Sequence, residues 1–224
     1  MDHYTYSVVM PAYNRAIFLP RAVRSVAQQD CITQGSIEIL VIDDGSTDNT
    51  SQVIGSLEDE GLQQTIKYVK IKHIGEPGTV RNVALGMAQG DFLAYCDSDD
   101  YWLPHHLATA IQAFKRNPSL GMVSNFWGLA QFSVLLGGNI QTLIVVPPHP
   151  PTSVNTNCRV HRKECLKVGF FNTSRWGEDQ DFFQRVEKNF SCYKTGIVTS
   201  INGYIKKGNN LTYEFDTGVK NRYF

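Results

Sequence analysis

The sequence predicts an α/β domain in which helices cover both faces of a mostly parallel sheet. Strand-like and helix-like patterns alternate through the first half of the chain, as they do in strand–helix–strand units. The strand patterns are apolar runs, typical of strands buried on both faces. Apolar residues make up 42% of the 224 residues, enough for a sizeable core. No linker separates the two halves, so we expect one domain spanning residues 1–224.

The first three strands and two helices follow from the spacing of apolar side chains. Buried strands are predicted at Tyr6–Met10 and Ile37–Ile42, where apolar and β-branched residues run together. Residues Ile66–Ile71 alternate as a third strand does. The helices between the strands are predicted from side chains three and four residues apart, namely Leu19, Val23 and Val26, then Thr50, Val53, Ile54 and Leu57.

A fourth strand and two further helices complete this regular half. A loop at Gly75–Gly78 precedes a helical face that ends near Met87, and a strand is predicted at Asp91–Cys96. Pro104 opens the next helix, because proline suits a first helical turn. The second half is less regular, and we expect short strands near Gly121–Phe126, Thr142–Val146 and Asn157–His161 and a helix over about Glu178–Lys188.

Charge and cysteine content exclude several classes of protein. The 21 Lys and Arg residues balance 21 Asp and Glu residues, which argues against nucleic-acid binding by a basic surface. The five cysteines are widely spaced and form no CxxC pair, so a disulfide scaffold or a structural zinc site is not expected. The N-terminus has no signal-peptide pattern, and we expect a cytoplasmic protein of undetermined oligomeric state.

One uncharged stretch raises the question of membrane contact. No Lys, Arg, Asp or Glu occurs between Arg116 and Arg159, and this interval includes the apolar segments Phe126–Leu136 and Leu143–Val146. Polar residues interrupt them, so no uniformly apolar run of about 20 residues exists. We interpret the interval as core strands with an apolar flank. Peripheral contact with the inner face of the membrane, or with a lipid-bearing substrate, remains an alternative.

Carboxylates follow the second and fourth predicted strands. Asp43 and Asp44 come directly after one of them, and the run Asp97–Asp100 follows the other. Because ligands of open α/β sheets bind beyond the carboxyl ends of the strands, these side chains are expected on one rim. Clustered carboxylates repel each other, and a hard cation is their natural partner. For Asp43 and Asp44 alone, capping of the next helix is the alternative.

Other strand-end chemistries fit the spacing less well. Haloacid-dehalogenase-like phosphatases need D-x-D after the first strand, whereas here a D-D pair follows the second. A receiver-type signalling domain fits roughly, but the chain has an extra strand–helix unit before the acidic pair. Neither a GxGxxG nor a GxxxxGK[ST] motif occurs.

Four segments together resemble the family 2 glycosyltransferases of the GT-A fold. In chain order they are SVVMPAYN, EILVIDDGSTDNT, GEPGTVRNVALGMAQGDFLAYCDSDDYWLP and WGEDQDFF. The resemblance covers roughly Tyr6 to Val186. It implies an inverting transfer from a nucleoside-diphosphate sugar, assisted by Mg²⁺ or Mn²⁺. Residues 1–100 would then bind the nucleotide sugar, and residues 101–224 would bind a saccharide or lipid-linked acceptor.

The resemblance also implies roles for individual residues on the donor side. Asp44 matches the carboxylate that accepts a hydrogen bond from the base, which favours an imide-type N–H and hence a UDP-, dTDP- or GDP-sugar, with UDP preferred. Asp99 and Asp97 match the metal-binding ends of the D-x-D motif. The positions expected to bind the nucleotide sugar are Pro11, Ala12, Tyr13, Asn14, Asp43, Asp44, Arg81, Asp97 and Ser98.

On the acceptor side, Glu178 and Asp179 resemble the pair that supplies the catalytic base, with Asp179 as the base itself. Trp176 is expected to contact the acceptor sugar. The loop after His73 departs from the family pattern, and no histidine follows His161 to serve as a late metal ligand. A catalytically silent nucleotide-sugar binder on the same fold is the alternative to an enzyme.

Overall fold

The structure is a computed structural model. It describes residues 5–30, 36–62, 64–134, 140–145, 155–174 and 176–205, with side chains excluded at 129–134, 140–145 and 202–205. The strands are β1 Tyr6–Ala12, β2 Ile37–Asp43, β3 Thr65–Lys70, β4 Phe92–Tyr95, β5 Tyr101–Trp102, β6 Leu120–Val134, β7 Ile140–Val145, β8 Arg159–Arg162 and β9 Ser191–Ile205. The helices are α1 Leu19–Ala27, α2 Thr50–Asp59, α3 Pro77–Met87, α4 His106–Arg116 and α5 Glu178–Asn189, with 3₁₀ turns at Thr156–Cys158 and Lys163–Val168.

One mixed sheet contains the nine strands that the structure describes. Their order is β3-β2-β1-β4-β8-β6-β9-β5, and β7 pairs with β6 outside this path. The first four are parallel, and the pairing of Ala12 with Asp43 brings the carboxyl ends of β1 and β2 level. Beyond β4, strand β8 is antiparallel to both its neighbours, whereas β6 and β9 are parallel. The predicted α/β class is confirmed, and the sheet is parallel where the candidate site lies.

Apolar side chains pack on both faces of the sheet, as predicted. In β1, Val8 and Met10 join a core with α1, α2 and α4, while Val9 joins a second core with α3 and α5. This alternation is the period of two of an extended strand. A strand with residues in both cores has a continuous apolar sequence. For this reason β1 and β2 could be predicted from the sequence.

Several boundaries differ from the sequence prediction. Helix α3 begins at Pro77, inside the predicted loop Gly75–Gly78, because proline fits a first helical position. Strand β6 extends well beyond Gly121–Phe126. Strand β9 was not predicted, since its sequence is mostly polar and Gly196 lies at φ +73°. It borders β6 along nearly its whole length.

The remaining sequence predictions concern membrane contact, cysteines and domain organisation. Within the described residues, no helix is long and apolar enough to cross a membrane. Side chains of the apolar segments after Gly128 lie outside the described residues, as does Cys31. Four cysteines are described, each as a free thiol: Cys96, Cys158, Cys165 and Cys192. The assignment of residues 1–224 to one domain stays a prediction.

Candidate active site

The loops after β1 and β2 are held together by one asparagine. Asn14 adopts a left-handed backbone conformation at φ 51°, which asparagine tolerates better than most residues. Its backbone N–H donates to Ser46 Oγ at 2.9 Å, and its side-chain oxygen accepts from the Thr47 N–H at 2.8 Å. Asn14 therefore joins the loop after β1 to the loop after β2, and its side-chain oxygen is bonded to the protein.

The two aspartates after β2 have different surroundings. Asp43 is fully buried, and its two oxygens accept from the Ser46 N–H at 2.7 Å and the Tyr68 hydroxyl at 2.5 Å. Burial raises the pKa of the Tyr68 hydroxyl, and its hydrogen bond to Asp43 and the charge of Asp43 raise it further. Asp43 holds the turn and presents no surface to a ligand, unlike the nucleotide-binding role predicted for it.

Asp44 organises the segment that follows β3. Its carboxylate oxygens accept from the Ile74 N–H at 2.7 Å and the Gly75 N–H at 2.8 Å, and His73 Nδ1 lies 3.0 Å from Oδ2. Oδ2 has both the Gly75 N–H and His73 Nδ1 as neighbours, whereas Oδ1 keeps a second lone pair beside the Ile74 N–H. The side chain of Asp44 is 8% exposed, so a hydrogen bond from a base can be accepted at Oδ1. Gly45 permits the close approach, because a Cβ there would lie 2.7 Å from the His73 backbone nitrogen.

An aromatic pair borders Asp44. The rings of Tyr13 and His73 stack with centroids 4.3 Å apart and planes 20° apart. Tyr13 is 40% exposed, and the His73 side chain is 50% exposed. Because stacked rings are separated by about 3.5 Å face to face, no base fits between them. The open surface of this pair, beside the Asp44 carboxylate, suits one face of a planar ring.

The carboxylates after β4 form the second part of the site. Asp97 accepts from Arg81 at 3.0 Å, and Asp99 accepts from Arg15 Nε at 3.2 Å. Burial raises the pKa of Asp99, Arg15 opposes this shift, and the charge of Asp97 adds to it. The side chains of Asp97 and Asp99 are 27% and 14% exposed.

These two carboxylates fit a divalent cation only in part. Carboxylate oxygens are the ligands that Mg²⁺ and Mn²⁺ prefer, and the charge of Asp97 acts on Asp99. Among the described residues, no three His, Cys, Asp or Glu side chains are grouped closely enough to hold a metal alone. Asp97 and Asp99 therefore fit a site whose remaining ligands are substrate phosphate and water.

Arg81 joins the loop after β4 to the first turn of α5. Its guanidinium donates to Asp97 at 3.0 Å and to Glu178 Oε1 at 2.9 Å, across 97 residues of sequence. Burial disfavours the charge, but the two carboxylates outweigh burial and raise the pKa of Arg81. Burial also raises the pKa of Glu178, and Arg81 opposes that shift.

Asp179 lies beside this ion pair in the first turn of α5. One carboxylate oxygen accepts from Thr156 Oγ1 at 2.7 Å, and the other accepts from the Gln180 N–H at 2.7 Å. Glu178 is only 6% exposed and engaged with Arg81, whereas Asp179 is partly exposed. Asp179 is thus the more exposed member of the pair.

The other predicted positions differ in how exposed they are. Trp176 is 56% exposed and lies two residues before Glu178 in the sequence, and its contact with an acceptor stays a prediction. Ala12 and Ser98 are buried, and Pro11 is a half-buried strand residue. Arg81 bonds to both Asp97 and Glu178.

Four residues in these contacts were not predicted as site residues. They are Arg15, His73, Thr156 and Asn157. Arg15 directly follows the PAYN segment and His73 precedes the GEPG segment, so adjacency to a motif was a usable signal for both. Thr156 and Asn157 lie in no motif, and their partners are 23 to 60 residues away.

The sequence matches a known family over more than half of its length. Residues 7–133 match the family described as Glycosyl transferase family 2. The chain is 35% identical over 127 residues to the UDP-Glc:alpha-D-GlcNAc-diphosphoundecaprenol beta-1,3-glucosyltransferase WfgD of Escherichia coli. That alignment covers 56% of this chain and 47% of the relative, so the chain spans less than half the length of that curated protein.

The fold is similar to two solved structures. One is S. aureus TarS 1–349 in complex with UDP-GlcNAc, with a TM-score of 0.70 and 23% identity over 91% of this chain and 59% of that chain. The other is the mannosyltransferase PcManGT of Pyrobaculum calidifontis in complex with GDP-Man and Mn²⁺, with a TM-score of 0.70 and 18% identity over 92% of this chain and 59% of that chain. At these identities the likeness establishes the fold.

Proposed function

The chain belongs to glycosyl transferase family 2, and on that basis we propose that it moves a sugar from a nucleoside-diphosphate sugar to an acceptor hydroxyl, with inversion. The observation that carries the proposal is the pair of bonds made by Arg81. They bring the Asp97 carboxylate and the Glu178–Asp179 pair to one guanidinium. A donor-binding group close to a base is what displacement at a sugar carbon requires.

The donor is proposed to be a UDP-sugar. The exposed Tyr13 and His73 rings offer a surface for a planar base, and Asp44 Oδ1 retains a lone pair for an imide N–H. Uracil provides such an N–H at N3. The name of the Escherichia coli relative specifies UDP-Glc, and TarS was solved with UDP-GlcNAc. The sugar itself is not specified by these contacts.

The divalent ion is proposed to be Mn²⁺ or Mg²⁺, held by Asp99 and Asp97 together with the diphosphate. When bound, such an ion stabilises negative charge on a leaving diphosphate as a Lewis acid. The protein contributes the placement of the two carboxylates. Arg15 and Arg81 hold them from the protein side, and both side chains remain partly exposed.

Asp179 is proposed to accept the proton of the acceptor hydroxyl. A bond forms between the acceptor oxygen and the anomeric carbon, the bond from that carbon to the diphosphate oxygen breaks, and the proton moves to Asp179. Attack from the face opposite the diphosphate inverts the carbon. Arg81 donates a hydrogen bond to Glu178 and so holds that carboxyl group in place beside the base.

The acceptor is proposed to be a saccharide hydroxyl, with a lipid-linked saccharide as the form named for the Escherichia coli relative. Trp176 supplies an exposed indole next to the catalytic pair, and aromatic rings of this kind pack against the apolar face of a sugar.

The test is a transfer assay on the full chain. UDP-Glc, UDP-GlcNAc and GDP-Man are each offered with saccharide and undecaprenyl-diphosphate-linked acceptors, with Mn²⁺ or with a chelator, and products are identified by mass spectrometry. We expect transfer from a UDP-sugar that requires the metal. Donor binding without transfer or donor hydrolysis would favour the silent nucleotide-sugar binder and contradict the proposal.

A further inference from the structure

The 3₁₀ turn Thr156–Cys158 connects the two functional halves at a second place, apart from Arg81. We propose that Thr156 is a positioning residue for Asp179, and that Asn157 fixes the turn so that the base keeps a set distance from the donor-binding loop. This inference rests on the proposed function, because it concerns the base of that reaction. Neither residue lies in one of the four sequence segments that resemble the family.

Thr156 holds the candidate base directly. Its side chain is buried, with 2% exposure, and its hydroxyl donates to Asp179 Oδ2 at 2.7 Å. The Gln180 N–H occupies one position on the other oxygen. A carboxylate accepts about four hydrogen bonds, so an acceptor hydroxyl can still donate to Asp179. Without Thr156, the side chain of Asp179 would be free to take other staggered rotamers.

Asn157 holds the turn against the loop after β4. Its side-chain oxygen accepts from the Asp97 N–H at 2.9 Å, and its amide group donates to the Asp100 carboxylate. Its carbonyl accepts from the Trp102 indole at 3.1 Å. The residue is fully buried, so these bonds have no competition from water.

The bonds of Asn157 and Thr156 together connect the loop after β4 to Asp179. Asp97 belongs to the donor loop, Asn157 is bonded to its backbone, Thr156 is the preceding residue, and Asp179 is bonded to Thr156. A displacement of either bond changes the distance between the base and the donor carbon. Misplacement of a reacting group by about 1 Å can cost about a hundredfold in rate, so the chain of contacts bears on turnover more than on donor affinity.

The competing interpretation makes Thr156 a structural residue only. In that case, loss of its hydroxyl destabilises the start of α5 and leaves turnover per folded molecule unchanged. The two interpretations therefore differ in which quantity moves, the rate constant or the melting temperature.

The experiment compares Thr156→Val, which keeps the shape and loses the donor, with Thr156→Ser, which keeps the donor. The matched control is Thr50→Val, because Thr50 is also buried and its hydroxyl donates to a carboxylate, Asp48, at 2.5 Å. For each protein, kcat, KM for both substrates, the donor dissociation constant and Tm are measured. We expect Thr156→Val to lower kcat by about tenfold to a hundredfold with donor binding unchanged, Thr156→Ser to restore most of it, and Thr50→Val to leave kcat unchanged.

A double-mutant cycle tests whether Thr156 acts through Asp179. In an Asp179→Asn background, Thr156→Val should cause no further loss of transfer, since coupled residues are not additive. An equal additional loss in that background, or a kcat for Thr156→Val equal to that of Thr50→Val, would overturn the positioning role while the wild type stays active. A wild type without transfer overturns the proposed function and this inference with it.

Discussion

Replacement of Arg81 by methionine should destabilise the protein strongly, because it leaves a carboxylate buried without its cation. Glu178 is 6% exposed and its side chain bonds to Arg81 at 2.9 Å. Removal of one partner of a buried ion pair costs about 3–5 kcal/mol. The second partner, Asp97, is 27% exposed and can be hydrated after the change, so we expect a loss near the lower limit, about 3 kcal/mol.

The assay is unfolding by urea and by heat, followed by circular dichroism. For a protein of this size, 1 kcal/mol corresponds to about 2–4 °C in Tm, so the variant should melt about 6–12 °C below the wild type. Arg24→Met is the control. Arg24 also pairs with a carboxylate, Glu60, but both side chains are well exposed, and its midpoint should stay close to that of the wild type.

A second substitution distinguishes loss of the charge pair from loss of packing. Glu178→Gln in the Arg81→Met background removes the buried charge and should recover about 1 kcal/mol or more. If Arg81→Met costs no more than Arg24→Met, or if the second substitution recovers nothing, Arg81 does not stabilise the cleft by charge pairing.

Three further outcomes are expected. Asp179→Asn should lower transfer by about 10²–10⁴-fold while the donor dissociation constant by calorimetry stays unchanged; equal losses in both would place Asp179 on the donor. Asp99→Asn should abolish the Mn²⁺ dependence of donor affinity with Tm preserved, and retained dependence would move the metal to other ligands. Burial lowers the pKa of His106 to about 3 and of His161 to about 4, below the roughly 6.5 of an unfolded histidine. Between pH 6.5 and pH 4 the unfolded chain binds protons that the native chain excludes, so stability falls with falling pH, by up to about 1.4 kcal/mol per pH unit for each histidine. The urea midpoint should depend less steeply on pH in His161→Gln than in the wild type. An identical pH dependence in the two proteins would contradict a lowered pKa for His161.

The sequence predicted the part of the site that depends on sheet topology. Parallel strands place their carboxyl ends at one edge, so Asp44 and Asp97 could be assigned to the same rim from their positions after apolar runs. The four parallel strands confirm that arrangement of the fold. The individual binding roles of these residues stay predictions.

The sequence could not distinguish a carboxylate that faces the cleft from one that supports it. Asp43 and Asp44 are adjacent and chemically identical, yet the first is fully buried against Tyr68 and the second borders the exposed aromatic pair. Asp43 is the last residue of β2 and Asp44 the first residue of the loop after it, so their side chains have different neighbours. Which of the two is buried depends on the position of β3, which a local pattern does not contain.

Strand β9 and the turn at Thr156 escaped prediction for a related reason. Both owe their positions to partners distant in sequence, β6 for the strand and Asp179 for the turn. Apolar periodicity reports burial against a core, whereas these segments are held by backbone pairing and by polar side chains. A pattern search finds the framework of such a fold and misses the contacts that join its halves.

The bonds made by Arg81, Asn157 and Thr156 explain why buried polar groups connect the two parts of the candidate site. Arg81 bonds to Asp97 and Glu178, and Asn157 bonds to the Asp97 N–H next to Thr156, which bonds to Asp179. Asp97 is thus connected to the Glu178–Asp179 pair by two routes. Directional bonds constrain distance and angle in a way that apolar packing does not, but a buried network stabilises only while every member keeps its partner. Removal of Arg81 and removal of the Thr156 hydroxyl should therefore show different signatures. The first leaves a buried charge and lowers stability, whereas the second leaves no charge unpaired and lowers turnover.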